Sequence, residues 1–75
     1  MTVTVCYYGL LAERRGLTEE RVTTAALTAA ALFAELGLGV SSSGMRAAVN
    51  DEFVPWDHPL NDGDRVALLP PMSGG

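Results

Sequence analysis

The sequence contains no lysine, a single cysteine and a single histidine, and each shortage excludes a kind of chemistry. All five basic residues are arginines, so the chain has no ε-amine to form a Schiff base or to receive an isopeptide bond. In a linkage of that kind it can act only as the acyl donor. One cysteine excludes an internal disulfide, and with one histidine beside it we expect no zinc or iron–sulfur centre.

Positive charge and long apolar runs are also scarce. The net charge of −4 and the isoelectric point near 4.6 argue against nucleic acid and anionic membranes as partners, because both attract clustered basic residues. The longest mostly apolar run, residues 25–36, is too short to span a bilayer. The first residues lack the basic segment of a secretory signal. We therefore expect a cytoplasmic protein with neither nucleic-acid nor membrane partners.

What the chain does contain suits one small domain. Its 75 residues leave no room for a second, so we assign residues 1–75 to a single unit. The hydrophobic fraction of 48% is enough for a globular core and argues against disorder. A domain of this size buries about 60% of its unfolded surface, so the core is expected to be small.

Five segments have the β-branched and apolar composition of strands: residues 2–8, 19–24, 45–49, 52–54 and 65–69. Asn50 and Asp51 suit a type I′ turn between the third and fourth of them, because both central residues of that turn need a positive φ. The fifth segment is apolar enough to run through the centre of a sheet.

Two segments predict helices. The main helix is expected over residues 29–36, after Thr28 as its N-cap. Its apolar stripe, which would face the sheet, consists of Leu32, Phe33 and Leu36. A short helical piece over residues 10–15 would be closed by Gly16 in the left-handed conformation. Together these elements predict an α+β fold with one mixed sheet of about five strands packed on one main helix.

The last six residues, 70–75, combine two prolines with a terminal pair of glycines. Each proline fixes φ at about −65° and stiffens the chain where it leaves the domain. Glycine has no Cβ, so such an end can thread a narrow slot in another protein. The α-carboxylate of Gly75 would then be a reacting group. A frayed end is the usual state of a chain terminus, so the tail by itself favours that interpretation.

Several short motifs stand in register in the last third of the chain: Val49-Asn50, Asp57-His58-Pro59-Leu60, Asp62-Gly63-Asp64, and Pro70-Pro71 with the terminal Gly74-Gly75. Together they resemble the ubiquitin-like β-grasp sulfur carriers, and most closely the small subunits of molybdopterin synthases. The resemblance covers most of the chain, and residues 47–75 are its specific part. It implies a β-grasp domain with residues 70–75 as a protruding tail.

The resemblance also implies a chemistry. An ATP-dependent, E1-like enzyme adenylates the carboxylate of Gly75, and a sulfur donor converts the adenylate to a thiocarboxylate. The tail, with Gly74 small enough to thread, then enters the large subunit of the synthase. There its sulfur helps to build the dithiolene of molybdopterin on a cyclic pterin precursor. The chain would be a non-catalytic carrier that binds no cofactor, and the sequence leaves open whether the assembly is a heterotetramer.

By position, the resemblance places the partner-binding surface at the base of the tail. Its members would be Tyr8, Phe53, Leu69, Pro70, Pro71, Met72 and Ser73. Plain core packing is the alternative, and for Phe53 the two interpretations are evenly balanced. Leu68 and Leu69 lie on opposite faces of the last strand, so one of them should be left for a partner. An exposed apolar patch on so small a domain is typical of a protein interface.

Other interpretations stay open. The chain could carry sulfur for thiamine, cysteine or tRNA thiolation, modify proteins as ubiquitin does, or be an interaction module with an inert tail. Ala12 stands before Glu13 where close relatives often have arginine, and the loop after the main helix is short, as in the thiamine carriers. Cys6 and His58 are expected to be structural, because neither has the neighbours of a catalytic group.

Overall fold

The computed structural model of the chain describes residues 1–71. It contains seven elements, in the order β1 (Thr2–Tyr7), α1 (Leu10–Arg15), β2 (Glu19–Thr23), α2 (Ala29–Leu36), β3 (Arg46–Val49), β4 (Glu52–Val54) and β5 (Arg65–Leu69). Both predicted helices and all five predicted strands are confirmed. The predicted tail residues Met72, Ser73, Gly74 and Gly75 lie outside the described residues.

Three predicted strands extend one residue too far. Tyr8, Thr24 and Met45 lie just beyond β1, β2 and β3 because a turn begins or ends at each of them. The Tyr8 carbonyl accepts a hydrogen bond from the Leu11 amide at 3.1 Å, and the Met45 amide donates to the Ser42 carbonyl at 2.9 Å. The Thr24 hydroxyl accepts from the amide two residues later at 2.9 Å.

The strands form one mixed sheet in the order β2-β1-β5-β3-β4. The central strand is β5, which pairs in parallel with β1 and antiparallel with β3. Its inward residues Val66 and Leu68 are completely buried. The prediction that the last strand runs through the centre of the sheet is therefore confirmed.

The hairpin between β3 and β4 has the predicted turn. Asn50 and Asp51 have φ values of 50° and 70°, both in the left-handed region that a type I′ turn requires. Val49 faces Glu52 across the turn, so the connection has two residues. Asn and Asp tolerate this conformation better than other residues with a Cβ, which is why the sequence signals the turn.

The helix α2 is closed at both ends by local chemistry. The Thr28 hydroxyl accepts a hydrogen bond from the Ala31 amide at 3.1 Å, as an N-cap does, and Gly37 ends the helix in the left-handed conformation. Phe33 makes an edge-to-face contact with Trp56, with ring centroids 5.5 Å apart. Among residues 1–71, neither helix has the length and apolarity needed to cross a membrane.

One cluster of apolar side chains lies between the helices and the sheet. One face of β1, the inward face of β5 and single residues of both helices supply its most buried members, which are Val3, Val5, Tyr7, Leu11, Leu32, Val66 and Leu68. Burial of the whole apolar cluster to which these side chains belong is the main term that stabilises the fold.

The motifs that carry the family resemblance hold the start of β5 in place. Asn50 Nδ2 donates to Oδ1 of the buried Asp64 at 3.0 Å, and Asn50 Oδ1 accepts from the backbone amide of the residue that follows Asp64, also at 3.0 Å. Asp64 Oδ2 also accepts from the Asn61 amide at 2.8 Å. Asp62 Oδ1 accepts from the Thr2 amide at 2.7 Å. This turn therefore joins the β3–β4 hairpin to the beginnings of β1 and β5.

A polar network fastens α1 to the sheet. The Tyr7 hydroxyl and Arg15 Nε both donate to Glu20 Oε2 at 2.6 Å, and Arg15 Nη1 reaches the Leu36 carbonyl at 3.5 Å. Burial, and then the hydrogen bond to Glu20, raises the pKa of Tyr7. Hydrogen bonds from Tyr7 and Arg15 lower the pKa of Glu20. Arg15, at the end of α1, thereby links this helix to β2 and to the end of α2.

Candidate functional site

An open groove with a volume of about 800 Å³ lies beside the end of β5. Residues from three parts of the fold line it: Tyr8, Gly9 and Leu10 after β1; Gly44, Arg46 and Phe53 around the β3–β4 pair; and Leu69, Pro70 and Pro71 at the exit of the chain. The lining contains every predicted partner-binding residue that the structure describes. Their role in binding stays a prediction.

Strand register explains why these distant residues meet. Because β1 and β5 are parallel, their carboxyl ends lie at the same edge of the sheet, which places Tyr8 near Leu69. Because β3 is antiparallel to β5, the first residue of β3, Arg46, faces Leu69 directly. Phe53 comes from the neighbouring strand β4, at the outer edge of the sheet.

The groove exposes large apolar side chains. Tyr8 is 51% exposed, Leu10 51% and Phe53 57%. Core packing of Phe53, one of the two sequence interpretations, is therefore excluded. At the end of β5, Leu68 is completely buried, whereas Leu69 is only partly buried and lines the groove. A concentration of apolar surface of this kind is typical of a protein-binding surface.

Two glycines leave room for the prolines. Gly9 has φ 54° and Gly44 has φ 76°, so both adopt a backbone conformation that disfavours a side chain. A Cβ atom would stand 3.3 Å from Pro70 Cγ at Gly9 and 3.3 Å from Pro71 Cβ at Gly44. The exit of the chain therefore lies closely against both glycines.

Of the lining residues that the structure describes, one is charged, Arg46. Its Cζ lies 3.8 Å from the centroid of the Phe53 ring, which is the geometry of a cation–π contact. The sequence interpretation missed Arg46, because a single outward arginine on a strand carries no signal of its own. Only the pairing with Leu69 reveals its position.

Leu10, Gly9 and Gly44 were also missed. For Leu10 a signal exists, because adjacent residues of a helix point about 100° apart. Leu11 is buried, so Leu10 beside it has to point elsewhere. The two glycines have no local signal, since their role depends on contacts with the far end of the chain.

The other candidate residues lie outside the groove. Cys6 is buried, and burial raises the pKa of its thiol, which is the opposite of what a nucleophilic thiolate needs. The partly buried His58 accepts a hydrogen bond from the Ala29 amide through its carbonyl, at 3.2 Å. In the part of the chain that the structure describes, no group of three or more His, Cys, Asp or Glu side chains is arranged to hold a metal.

Comparison with known proteins identifies the family. The model of the ThiS family matches residues 5–75, which is nearly the whole chain and includes the terminal glycines. The chain belongs to the ThiS family. Over 38 residues it is 50% identical to the molybdopterin synthase sulfur carrier subunit of Escherichia coli (strain K12). That match covers 51% of this chain and 47% of the relative, so it spans about half the length of each.

Solved structures of similar fold agree with this membership. A chain in the complex of subunits 1 and 2 of the molybdopterin-converting factor from Helicobacter pylori 26695 is 31% identical, with 100% of both chains covered and a TM-score of 0.69. SAMP1 from Haloferax volcanii has a TM-score of 0.80 over 100% of both chains, but at 22% identity it shows the shared fold alone. The ubiquitin-like β-grasp fold expected of this ThiS-family chain is confirmed.

Proposed function

We propose that this protein is the sulfur carrier subunit of a molybdopterin synthase, with the Gly75 carboxylate as the atom group that carries sulfur. The observation that supports this most directly is the ThiS-family match, because it continues to the last residue of the chain. The 50% identity with the E. coli sulfur carrier subunit favours the molybdopterin pathway over the others.

The proposed chemistry starts from a carboxylate, which has no good leaving group. An E1-like activating enzyme transfers AMP from ATP to Gly75 and releases pyrophosphate. A donor that supplies sulfur at the oxidation level of sulfide attacks the acyl carbon; the C–O bond to AMP breaks, AMP leaves, and the new C–S bond makes the thiocarboxylate. Its sulfur then bonds to a carbon of the pterin precursor, which loses an oxygen leaving group, and water hydrolyses the acyl C–S bond to restore the carboxylate. The activating enzyme holds ATP, and this chain binds no cofactor.

The residues of the groove supply binding rather than chemistry. We place the large subunit of the synthase against Tyr8, Phe53 and Leu69, because burial of exposed apolar surface is the usual driving force for association. The H. pylori structure, which contains subunits 1 and 2 together, supports a partner of this kind. Pro70 and Pro71, set against Gly9 and Gly44, fix where the chain leaves the domain.

Two finer points belong to the same proposal. We expect two copies of each subunit to assemble into a heterotetramer, which light scattering of the purified complex measures. We also place the carrier in the cytoplasm, where ATP is available for its activation. A complex with one copy of each subunit would correct the first point without affecting the sulfur chemistry.

Intact mass spectrometry tests the sulfur chemistry. Purified carrier is incubated with ATP, the activating enzyme of the same genome and a sulfur donor. We expect the mass to rise by the difference between sulfur and oxygen, and the product to form molybdopterin when the large subunit and the pterin precursor are added. The gain in mass without molybdopterin formation would indicate a carrier for thiamine, cysteine or tRNA thiolation instead.

The matched control is a chain without Gly75. It should gain no mass, while its melting temperature stays that of the wild type, because the buried core lies between Val3 and Leu68. We expect the free energy of unfolding to change by less than about 0.5 kcal/mol. A wild-type chain that stays unchanged with every activating enzyme of its host would contradict the proposal.

A further inference from the structure

Among residues 1–71, Arg46 is the one charged residue that lines the groove. Its Cζ lies over the exposed ring of Phe53, 3.8 Å from the centroid. The ion pairs among residues 1–71 are Arg15–Glu20 and Arg65–Glu19, so no carboxylate of the described part of the chain lies within 4.0 Å of the Arg46 guanidinium. The described part of the groove lining contains no acidic side chain.

A partner that covers the groove has to deal with this charge. The surrounding surface is apolar, so docking would remove water from the guanidinium. Burying an unpaired charge is strongly unfavourable, whereas a hydrogen-bonded carboxylate offsets much of that penalty. An entirely apolar partner surface would therefore bind poorly here.

The stacking geometry also leaves room for a carboxylate. The Cζ atom of Arg46 lies 3.8 Å from the centroid of the Phe53 ring, a distance typical of a guanidinium that lies flat on an aromatic ring. The N–H donors of arginine lie in the plane of the group and point away from its faces, so they remain able to bind a carboxylate in a bidentate manner. Phe53 positions the cation, and within residues 1–71 no ion pair engages its donors.

We propose that the partner seated on the groove presents an aspartate or glutamate that pairs with Arg46, and that this pair selects the partner. The inference rests on the proposed function, because it takes the large subunit of the synthase as that partner. It goes further by naming the chemistry of one contact. In a chain of net charge −4, a lone cation at the docking surface discriminates strongly between acidic and basic partner surfaces.

Binding of charge variants to the large subunit from the same genome tests the inference by calorimetry. We expect Arg46→Glu to raise Kd by about tenfold or more, Arg46→Gln by less, and Arg46→Lys by the least, since lysine keeps the charge but not the planar fork. The matched control is Arg21→Glu. Arg21 is exposed on β2, at the far edge of the sheet, and the substitution changes the charge equally.

A charge exchange separates pairing from stacking. If Arg46 only supports the ring of Phe53, no substitution on the partner will repair Arg46→Glu. If the two charges pair, an arginine in place of the facing acidic residue of the large subunit will recover most of the lost affinity. The wild-type Kd should also rise with added salt more steeply than that of Arg46→Gln, because salt screens the pair.

Specific outcomes would overturn the inference. Equal Kd values for Arg46→Glu and Arg21→Glu would show that the large subunit does not recognise the charge of Arg46. Tighter binding by Arg46→Gln would indicate that the chain's own C-terminal carboxylate pairs with Arg46. If the isolated wild type forms dimers and Arg46→Glu abolishes them, the groove instead binds a second copy of this chain. Failure of the wild type to bind any large subunit would instead refute the proposed function.

Discussion

At the scale of single residues, the shape of the groove depends on two glycines that have no Cβ atom as well as on the side chains that line it. Gly9 and Gly44 face Pro70 and Pro71 at distances that leave no space for an ordinary Cβ contact. Their positive φ values would also strain any other residue. The exposed side chains of the groove provide binding surface, and the two glycines determine where the stiff exit of the chain lies beside it.

Gly44→Ala tests this role, with Gly16→Ala as the matched control. The two glycines have almost the same φ, 76° and 77°, but a Cβ at Gly16 meets nothing within 4 Å. Both variants should lose about 1 kcal/mol of unfolding free energy, measured by thermal denaturation. Only Gly44→Ala should also slow sulfur transfer to the large subunit, because only it displaces Pro71. Equal rates of sulfur transfer in the two variants would show that the space left by Gly44 does not matter for the transfer.

At the scale of elements, the central strand β5 is aligned by Asn50 in the turn of the β3–β4 hairpin. Asn50 bridges the carboxylate of Asp64 and the amide of Arg65, each at 3.0 Å. The Asn50 amide also donates to the Arg65 carbonyl at 2.8 Å. The position of Leu69, four residues further along β5, follows from this alignment.

Asn50→Gly and Asp51→Gly separate the hydrogen bonds from the turn geometry. Glycine adopts the positive φ of either position without strain, so both variants keep the type I′ turn. Asn50→Gly removes two side-chain hydrogen bonds and leaves the buried Asp64 short of a donor, so we expect a loss of about 1–3 kcal/mol. Asp51→Gly should stay within about 0.5 kcal/mol of the wild type in chemical denaturation. Similar losses of unfolding free energy in the two variants would mean that the hydrogen bonds of the Asn50 side chain contribute little to stability.

At the scale of the whole molecule, Glu20 connects the sheet and both helices. Its carboxylate accepts from Tyr7 on β1 and Arg15 on α1, and Arg15 reaches the carbonyl end of α2. These hydrogen bonds hold the pKa of Glu20 below its ordinary value in the folded state. The unfolded state therefore binds its proton more readily than the folded state does.

The sign of the resulting pH dependence follows directly. Stability from this carboxylate is fully present above the ordinary pKa of 4.5 and is lost as the pH falls through the lower, folded value. Melting temperatures measured from pH 7 to pH 3 should fall for the wild type and fall less steeply for Glu20→Gln. Glu35→Gln, at an exposed position of α2, is the control and should follow the wild type. Identical curves for all three proteins would contradict this account.

The secondary structure was accessible from the sequence because its determinants are local. The Thr28 cap, the Gly16 and Gly37 ends and the Asn50-Asp51 turn each depend on the φ preference or hydrogen bonding of a few adjacent residues. The resemblance supplied the residues at the base of the tail, and the structure brings Tyr8, Phe53 and Leu69 together in one groove. Three strand ends, at Tyr8, Thr24 and Met45, were misjudged by one residue because a turn competes with the strand pairing there.

The sequence by itself determined the helices, the strands and the α+β class that they form, since each depends on neighbouring residues, and the family resemblance added the β-grasp fold. Only the tertiary structure decided that Leu10, Arg46, Gly9 and Gly44 share the groove with the prolines. Those residues meet through the parallel pairing of β1 with β5 and the register of β3 against β5. Such register is fixed by the packing of the whole sheet, and no local pattern encodes it.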